Sequence, residues 1–295
     1  MDANRKRIRT NIRVLFTANM EDLDSRFRRV SSLIASNDMD SAYLEVERIA
    51  SISQGDPFVL VKCAALLLTM NRKARSREIA AMALETVSED EGDRLQLAIA
   101  LRNLRMTKES LYLIEGLQKT DAVALERAKT LLAMDLFDEA LKILESLEGR
   151  EALLLKSECL SLSGEHEKAI FLASKLTEGS GSYEEMSLFV ANLIRAGKVK
   201  EAIKVADRFL KSRKNADSLA LKSYVMRING RLKASMNFAN QALSADKRHI
   251  GAMWNMAICL IEKGRINEAK VLAGAINEVE PGSHLALEIL DLCNA

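Results

Sequence analysis

Apolar positions recur along the C-terminal half of the chain in blocks that each turn on a glycine. These glycines are Gly164, Gly197, Gly230 and Gly264, spaced 33, 33 and 34 residues apart. Four residues before them lie Leu160, Leu193, Met226 and Leu260, and seven before lie Ser157, Val190, Ser223 and Ala257. Eleven before lie Leu153, Met186, Leu219 and Met253. Offsets of three, four and seven place these side chains on one helix face, as an apolar stripe with a small notch. The glycine then falls just past the last periodic residue, where a left-handed conformation ends a helix.

A second pattern follows each glycine. Five residues after it come Ala169, Ala202, Ser235 and Ala269, and nine after it come Ala173, Ala206, Ala239 and Ala273. Twelve after it come Leu176, Phe209, Ala242 and Ile276. This predicts a second amphipathic helix whose inner face is built of small side chains. Small residues facing small residues let two helices approach to the short end of the roughly 8–10 Å packing range. Each block is therefore an antiparallel helical hairpin. One hairpin alone buries too little surface to offset chain entropy, so the hairpins must stack.

Upstream the register persists with other residues at the turn. Asp135 is flanked by Leu131, Ala140 and Leu144, Arg105 by Leu101, Ser110 and Ile114, and Asn37 by Leu33, Ala42 and Val46. Residues 57–90 read as a hairpin with an irregular turn near Asn71–Ser76. The expected fold is all-α, a right-handed α-solenoid of about eight stacked antiparallel hairpins with capping helices at both ends. Its expected organisation is a basic N-terminal capping helix over 1–20, degenerate hairpins over 21–149, four well-matched repeats over 150–283, and a closing helix over 284–295.

The clearest block reads "IGAMWNMAICLIEKGRINEAKVLAGAINEVEPG" from Ile250. Its Ala257, Gly264, Ala269 and Pro281 fall where the tetratricopeptide repeat family places small residues, the turn glycine and the closing proline. The chain resembles that family, closely over 150–283 and more loosely over 21–149. The resemblance implies a superhelix whose concave face is lined by the first helix of each hairpin, with partners held there.

Carried over by offset, the lining comprises Leu154, Glu158 and Ser161 in one hairpin and Ser187, Ala191, Ile194 and Arg195 in the next. Then follow Ala220, Tyr224, Arg227 and Ile228, and finally Trp254, Ile258, Ile261 and Glu262. Tyr224, Arg227 and the single tryptophan are residue types that binding hot spots favour. The competing reading has Trp254 packed between hairpins or under the closing helix. Chaperone-binding members of the family clamp a terminal carboxylate with Lys and Asn at these positions. That set is missing here, and the largely aliphatic lining suits an apolar extended segment or an amphipathic helix.

Composition narrows the function classes. With 43 basic and 41 acidic residues the net charge is +2, which describes a solvated surface rather than a general polyanion binder. The stretch "NRKRIRTNIRVLF" places Ile8, Ile12, Leu15 and Phe16 on one face, with Arg5, Lys6, Arg9 and Arg13 mostly off it. It could cap the first hairpin, lie on a membrane surface or serve as a nucleic-acid arm, and capping is preferred because solenoid ends need a polar cover. It has neither the uninterrupted apolar core nor the cleavage site of a signal peptide. No apolar run reaches membrane-spanning length. Cys63, Cys159, Cys259 and Cys293 form no paired motif, so a reduced, cytoplasmic protein is expected.

Candidate chemistry is sparse. Glu151, Glu184 and Asp217 recur at one offset near helix starts, where the helix dipole favours carboxylates. His166 is followed by Glu167 but residue 170 is Ile, so no zinc-protease pair forms. "GSGS" at 179–182 lacks the features of a phosphate-binding loop and reads as a joint between hairpins. No catalytic residue, metal site, cofactor or small-molecule substrate is assigned. The expected function is a non-enzymatic protein–protein interaction scaffold holding a polypeptide in its groove, with a homodimer through the terminal hairpins also envisaged. The alternative is a nucleic-acid-associated regulator using the basic N-terminal arm, disfavoured by the near-zero charge and the 4% aromatic content.

Overall fold

The computed structural model describes residues 22–294 except 35, 37, 54, 179, 180, 281 and 282. The expected capping helix over 1–20 and the turn at Asn37 lie outside the described residues. The chain divides into two compact units, one ending at Thr86 and one beginning at Val87. Unit 1 contains α1 (residues 22–34), α2 (Met39–Ile52), α3 (Pro57–Thr69) and α4 (Lys73–Thr86).

Unit 2 opens with the hairpins α5 (Glu91–Asn103)/α6 (Thr107–Glu115) and α7 (Asp121–Leu132)/α8 (Phe137–Glu145). It continues with α9 (Arg150–Leu162)/α10 (His166–Leu176) and α11 (Tyr183–Arg195)/α12 (Val199–Ser212). Last come α13 (Ala216–Ile228)/α14 (Leu232–Ala245) and α15 (Ile250–Glu262)/α16 (Ile266–Val279), followed by the single closing helix α17 (His284–Asn294). With the two hairpins of unit 1, eight hairpins stand among the described residues, as the spacing predicts.

The turns behave as the glycine positions require. Gly164, Gly197, Gly230 and Gly264 all have positive φ, between +72° and +91°. Asn71, Arg105 and Asp135 adopt φ of 58–60°, so Arg105 and Asp135 occupy the turn position assigned to them and Asn71 supplies the turn left open near 71–76. All seven turns share one closing bond, from the N–H after the turn residue to the carbonyl five residues back. Examples are Glu165 N–H to Leu160 O at 2.8 Å and Leu136 N–H to Leu131 O at 3.0 Å.

The seam between paired helices is as small as predicted. Ala169, Ala173, Ala202, Ala206, Ala239, Ala269 and Ala273 are fully buried. Where the notch residue is serine, its hydroxyl crosses the seam to a backbone carbonyl. Ser157 Oγ donates to Ala169 O at 2.9 Å and Ser223 Oγ to Ser235 O at 2.9 Å. In unit 1 the direction reverses, with Ser76 Oγ of α4 donating to Ala64 O of α3 at 2.7 Å. These bonds let buried hydroxyls satisfy themselves without widening the interface.

One stripe position departs from expectation. Met186, Leu219 and Met253 are buried, but Leu153 is 40% exposed. The outer helices beside it are short, nine residues in α8 and eleven in α10 against fourteen in α12. The side chain therefore has less surface to pack against.

Hairpins are also joined by charge. Glu185, 3% exposed at the start of α11, accepts from Arg150 Nε at 2.7 Å, and its second oxygen accepts the Ser182 N–H at 2.8 Å. Arg150 Nη2 also reaches Leu176 O at the end of α10, at 3.0 Å. One guanidinium thus ties the start of α9, the end of α10 and the start of α11.

Candidate functional site

In unit 2 the first helices of consecutive hairpins pack directly on one another, α9 on α11, α11 on α13, α13 on α15 and α15 on α17. The second helices make no comparable contact with each other. The first helices therefore form the inner, concave side, the side to which the sequence assigns the lining.

The densest part of this face is an aromatic and cationic stack. The Tyr224 ring of α13 and the Trp254 ring of α15 lie 6.2 Å apart, tilted by 51°. The Arg227 guanidinium lies over both, 5.5 Å from the Tyr224 ring and 4.8 Å from the Trp254 ring. Tyr224 and Arg227 share a face because three residues make almost one helical turn, and Trp254 arrives one repeat later. Both rings are half-buried. Burial raises the Tyr224 hydroxyl pKa, with Arg227 and Arg195 pulling the other way.

Both readings of Trp254 meet in its geometry. Its ring belongs to the stack, while its indole N–H donates to Glu288 Oε2 of α17 at 3.2 Å. The closing helix thus supplies a lining residue that sequence reasoning missed. A signal for it exists, since one more step of 34 residues from Trp254 lands on Glu288.

Around the stack the face is more polar than the aliphatic pattern implies. Arg195 is exposed and donates to Ser161 Oγ at 3.4 Å. Glu158 of α9 is half-buried, and its carboxylate has no hydrogen-bond donor among the described residues. Its pKa is raised by burial, while the charges of Arg195 and His284 oppose the shift and that of Glu184 adds to it. His284 begins α17, so the closing helix faces α9 closely enough for its charge to act there.

The remaining assigned residues separate by exposure, and Ser161 and Ala220 are buried rather than open on the lining. Leu154, Ala191, Ile194 and Ile261 are half-buried, and Ile228 and Glu262 are exposed. Ile258 must be corrected, since it is 7% exposed and packs with Ala286 and Ile289 in a core cluster. The sequence offset places it on the lining, but α17 covers it.

Of the carboxylates singled out at helix starts, Glu151 and Asp217 are engaged structurally. Glu151 accepts from Lys129 Nζ at 2.6 Å. His249 caps α15, with Nδ1 accepting the Ala252 N–H at 3.1 Å, which leaves Nε2–H to donate to Asp217 at 3.1 Å. Burial pushes the Cys63 thiol up to about 12 and the Cys159 thiol up to about 11, the behaviour of small core side chains rather than nucleophiles. Among the described residues no group of His, Cys, Asp and Glu could hold a metal ion, and no helix is long and apolar enough to cross a membrane. A separate cavity of about 370 Å³ opens beside α12, floored by Met186, Phe189, Val205 and Phe209 and edged by Arg208 and Arg213. Thr177, Gly181 and Ser212 complete its lining.

No protein-family model and no curated protein matches the chain. Solved structures do. The chain is similar to a tetratricopeptide repeat protein from Parabacteroides merdae, with a TM-score of 0.50 and 11% identity over 81% of this chain and 98% of that one. Yeast Tom70 gives a TM-score of 0.47 and 14% identity over 88% of this chain and 58% of that one. YrrB, described as a TPR protein with an unusual peptide-binding site, gives 0.33 and 15% identity over 70% and 95%. The glycine-turn register, the small-residue seam and the match to the Parabacteroides merdae structure together make this chain an α-solenoid of the tetratricopeptide-repeat type.

Proposed function

We propose that the protein is a non-enzymatic interaction scaffold that holds a polypeptide segment on the concave side of unit 2. The stack of Arg227 on Tyr224 and Trp254 carries this reading. Its residue types dominate binding energy at protein interfaces, and here they are preassembled on a rigid array of helices. The half-buried Leu154, Ile194 and Ile261 offer apolar surface on the same side, which suits an amphipathic helix or an extended segment with one apolar edge. A stacked array of this kind provides extended surface for a partner. Four free cysteines, three of them buried, suit a reducing compartment.

Affinity capture with the full chain, compared with Trp254→Ala and Arg227→Ala, tests the reading. Each substitution should reduce recovery of the same partner at least about tenfold while the helical content stays unchanged. Equal recovery by all three proteins refutes the groove assignment.

A further inference from the structure

We propose that the recess beside α12 is a second binding site, separate from the concave face, for an anionic amphiphile of fatty-acid type, an alkyl chain ending in a carboxylate.

The recess follows from the lengths of the outer helices. α12, α14 and α16 end at Ser212, Ala245 and Val279, each fifteen residues past its turn glycine. α10 ends at Leu176, only twelve past Gly164. It stops almost one turn early, and Thr177, the residue after its end, lines the cavity of about 370 Å³. That volume falls within the roughly 300–1,000 Å³ of small-molecule sites. The floor is Met186 and Phe189 of α11 with Val205 and Phe209 of α12. None of these side chains donates a hydrogen bond or carries a charge. The two hydroxyls at the edge are turned to their own helices. Thr177 Oγ1 donates to Ser174 O at 2.8 Å and Ser212 Oγ to Phe209 O at 2.9 Å. A peptide backbone would find few side-chain partners on that floor, whereas an alkyl chain needs none.

Charge selects the head group. Arg208 and Arg213 edge the cavity, Lys211 and Lys214 lie beside them in sequence, and no acidic residue falls between Arg208 and Asn215. Asp207, just before this run, is paired with Lys222. The helix dipole accounts for cations at the end of α12 but not for an apolar recess beneath them. The Arg213 guanidinium lies over the Phe209 ring, 5.9 Å from its centre, which sets one cation above the floor. Arg208 forms no ion pair among the described residues, its Nε reaching only Lys204 O at 3.4 Å. A carboxylate at this edge would gain charge-assisted hydrogen bonds while its chain leaves water.

The test is calorimetric titration of the full chain with decanoate below its micelle-forming concentration, with decanol as the uncharged probe. One decanoate should bind per chain, and Arg208→Gln and Arg213→Gln should each weaken it about tenfold. Decanol should bind wild type more weakly than decanoate does and should not distinguish wild type from Arg208→Gln. Trp254→Ala, which probes the groove, should leave decanoate binding unchanged, so the two readings stand or fall separately. Both arginines are exposed, so their variants should fold as wild type does, which thermal melting checks. No saturation by about 1 mM decanoate overturns the proposal, as does equal affinity for wild type and both arginine variants. An N-acetylated peptide ending in phenylalanine that binds more tightly than decanoate overturns it in favour of a protein terminus. Binding to phosphatidylglycerol vesicles without binding to free decanoate overturns it in favour of a membrane surface.

Discussion

Arg105 and Asp291 stand 186 positions apart in the chain, and their side chains meet at 2.7 Å. Arg105 is the left-handed residue of the α5–α6 turn, with φ +60°, and Asp291 lies on α17. The pair therefore joins the first turn of unit 2 to its closing helix. Asp291 falls 34 residues after Ala257, the notch position that in an inner repeat faces the second helix of the hairpin. Among the described residues no second helix follows α17, and the arginine reaches that face instead.

Both partners are about half exposed, 52% and 45%, so the pair should contribute less than about 1 kcal/mol and weaken with salt. Arg105→Gly suits the turn and removes the pair. It should leave global stability within about 1 kcal/mol of wild type while amide exchange in α17 speeds up. Asp291→Asn should behave alike, and 0.5 M salt, on the order of ten times the ionic strength of a dilute buffer, should reproduce the effect in wild type. Unchanged exchange in α17 would show that the contact does not restrain the closing helix.

A turn glycine can be tested with little interference from packing. A Cβ added at Gly230 meets nothing within 4 Å, yet φ is +72°. Gly230→Ala should cost about 1 kcal/mol in urea unfolding, and Gly230→Asn roughly half that, because asparagine tolerates the left-handed region better. Equal losses would mean that backbone strain is not the cause.

Close packing between hairpins gives the opposite case. A Cβ at Gly251 of α15 would stand 2.2 Å from the Tyr183 hydroxyl of α11, whose ring also meets His249 edge-on at 5.0 Å between centroids. Gly251→Ala should lower stability by about 1–3 kcal/mol, and Tyr183→Phe in the same chain should recover part of the loss. No recovery would place the strain elsewhere.

The Arg150–Glu185 link should show a pH signature. Burial works against the Glu185 charge, but hydrogen bonds from Arg150 and Ser182 outweigh it and hold its pKa below the ordinary value of 4.5. A carboxyl lowered in the folded state stabilises the protein above its unfolded pKa and loses that contribution as pH falls through the folded value. Glu185→Gln should therefore cost about 2 kcal/mol at pH 7 and progressively less below about pH 4.5. Urea unfolding of both proteins from pH 7 to pH 3 measures the difference, and a gap that does not narrow would contradict the link.

Much of this molecule is legible before any coordinates. Turn glycines, alanine seams and the stripe at offsets of four and seven follow from local helix geometry, which needs only neighbours a few residues away. The Arg105 and Asp135 turns could be read for the same reason, despite their unusual residues. The site was legible only in part. Tyr224, Arg227 and Trp254 follow from the repeat offset, but the burial of Ile258 and the arrival of Glu288 depend on where α17 lies.

What the sequence determined by itself is the repeating unit, because periodic burial and turn conformation are properties of short segments. What only the tertiary structure decided is the character of the concave face. Curvature accumulated over successive hairpins brings α17 opposite α9 and Asp291 to Arg105. Those relations arise from small rotations summed along the stack, and no spacing within one repeat encodes the sum.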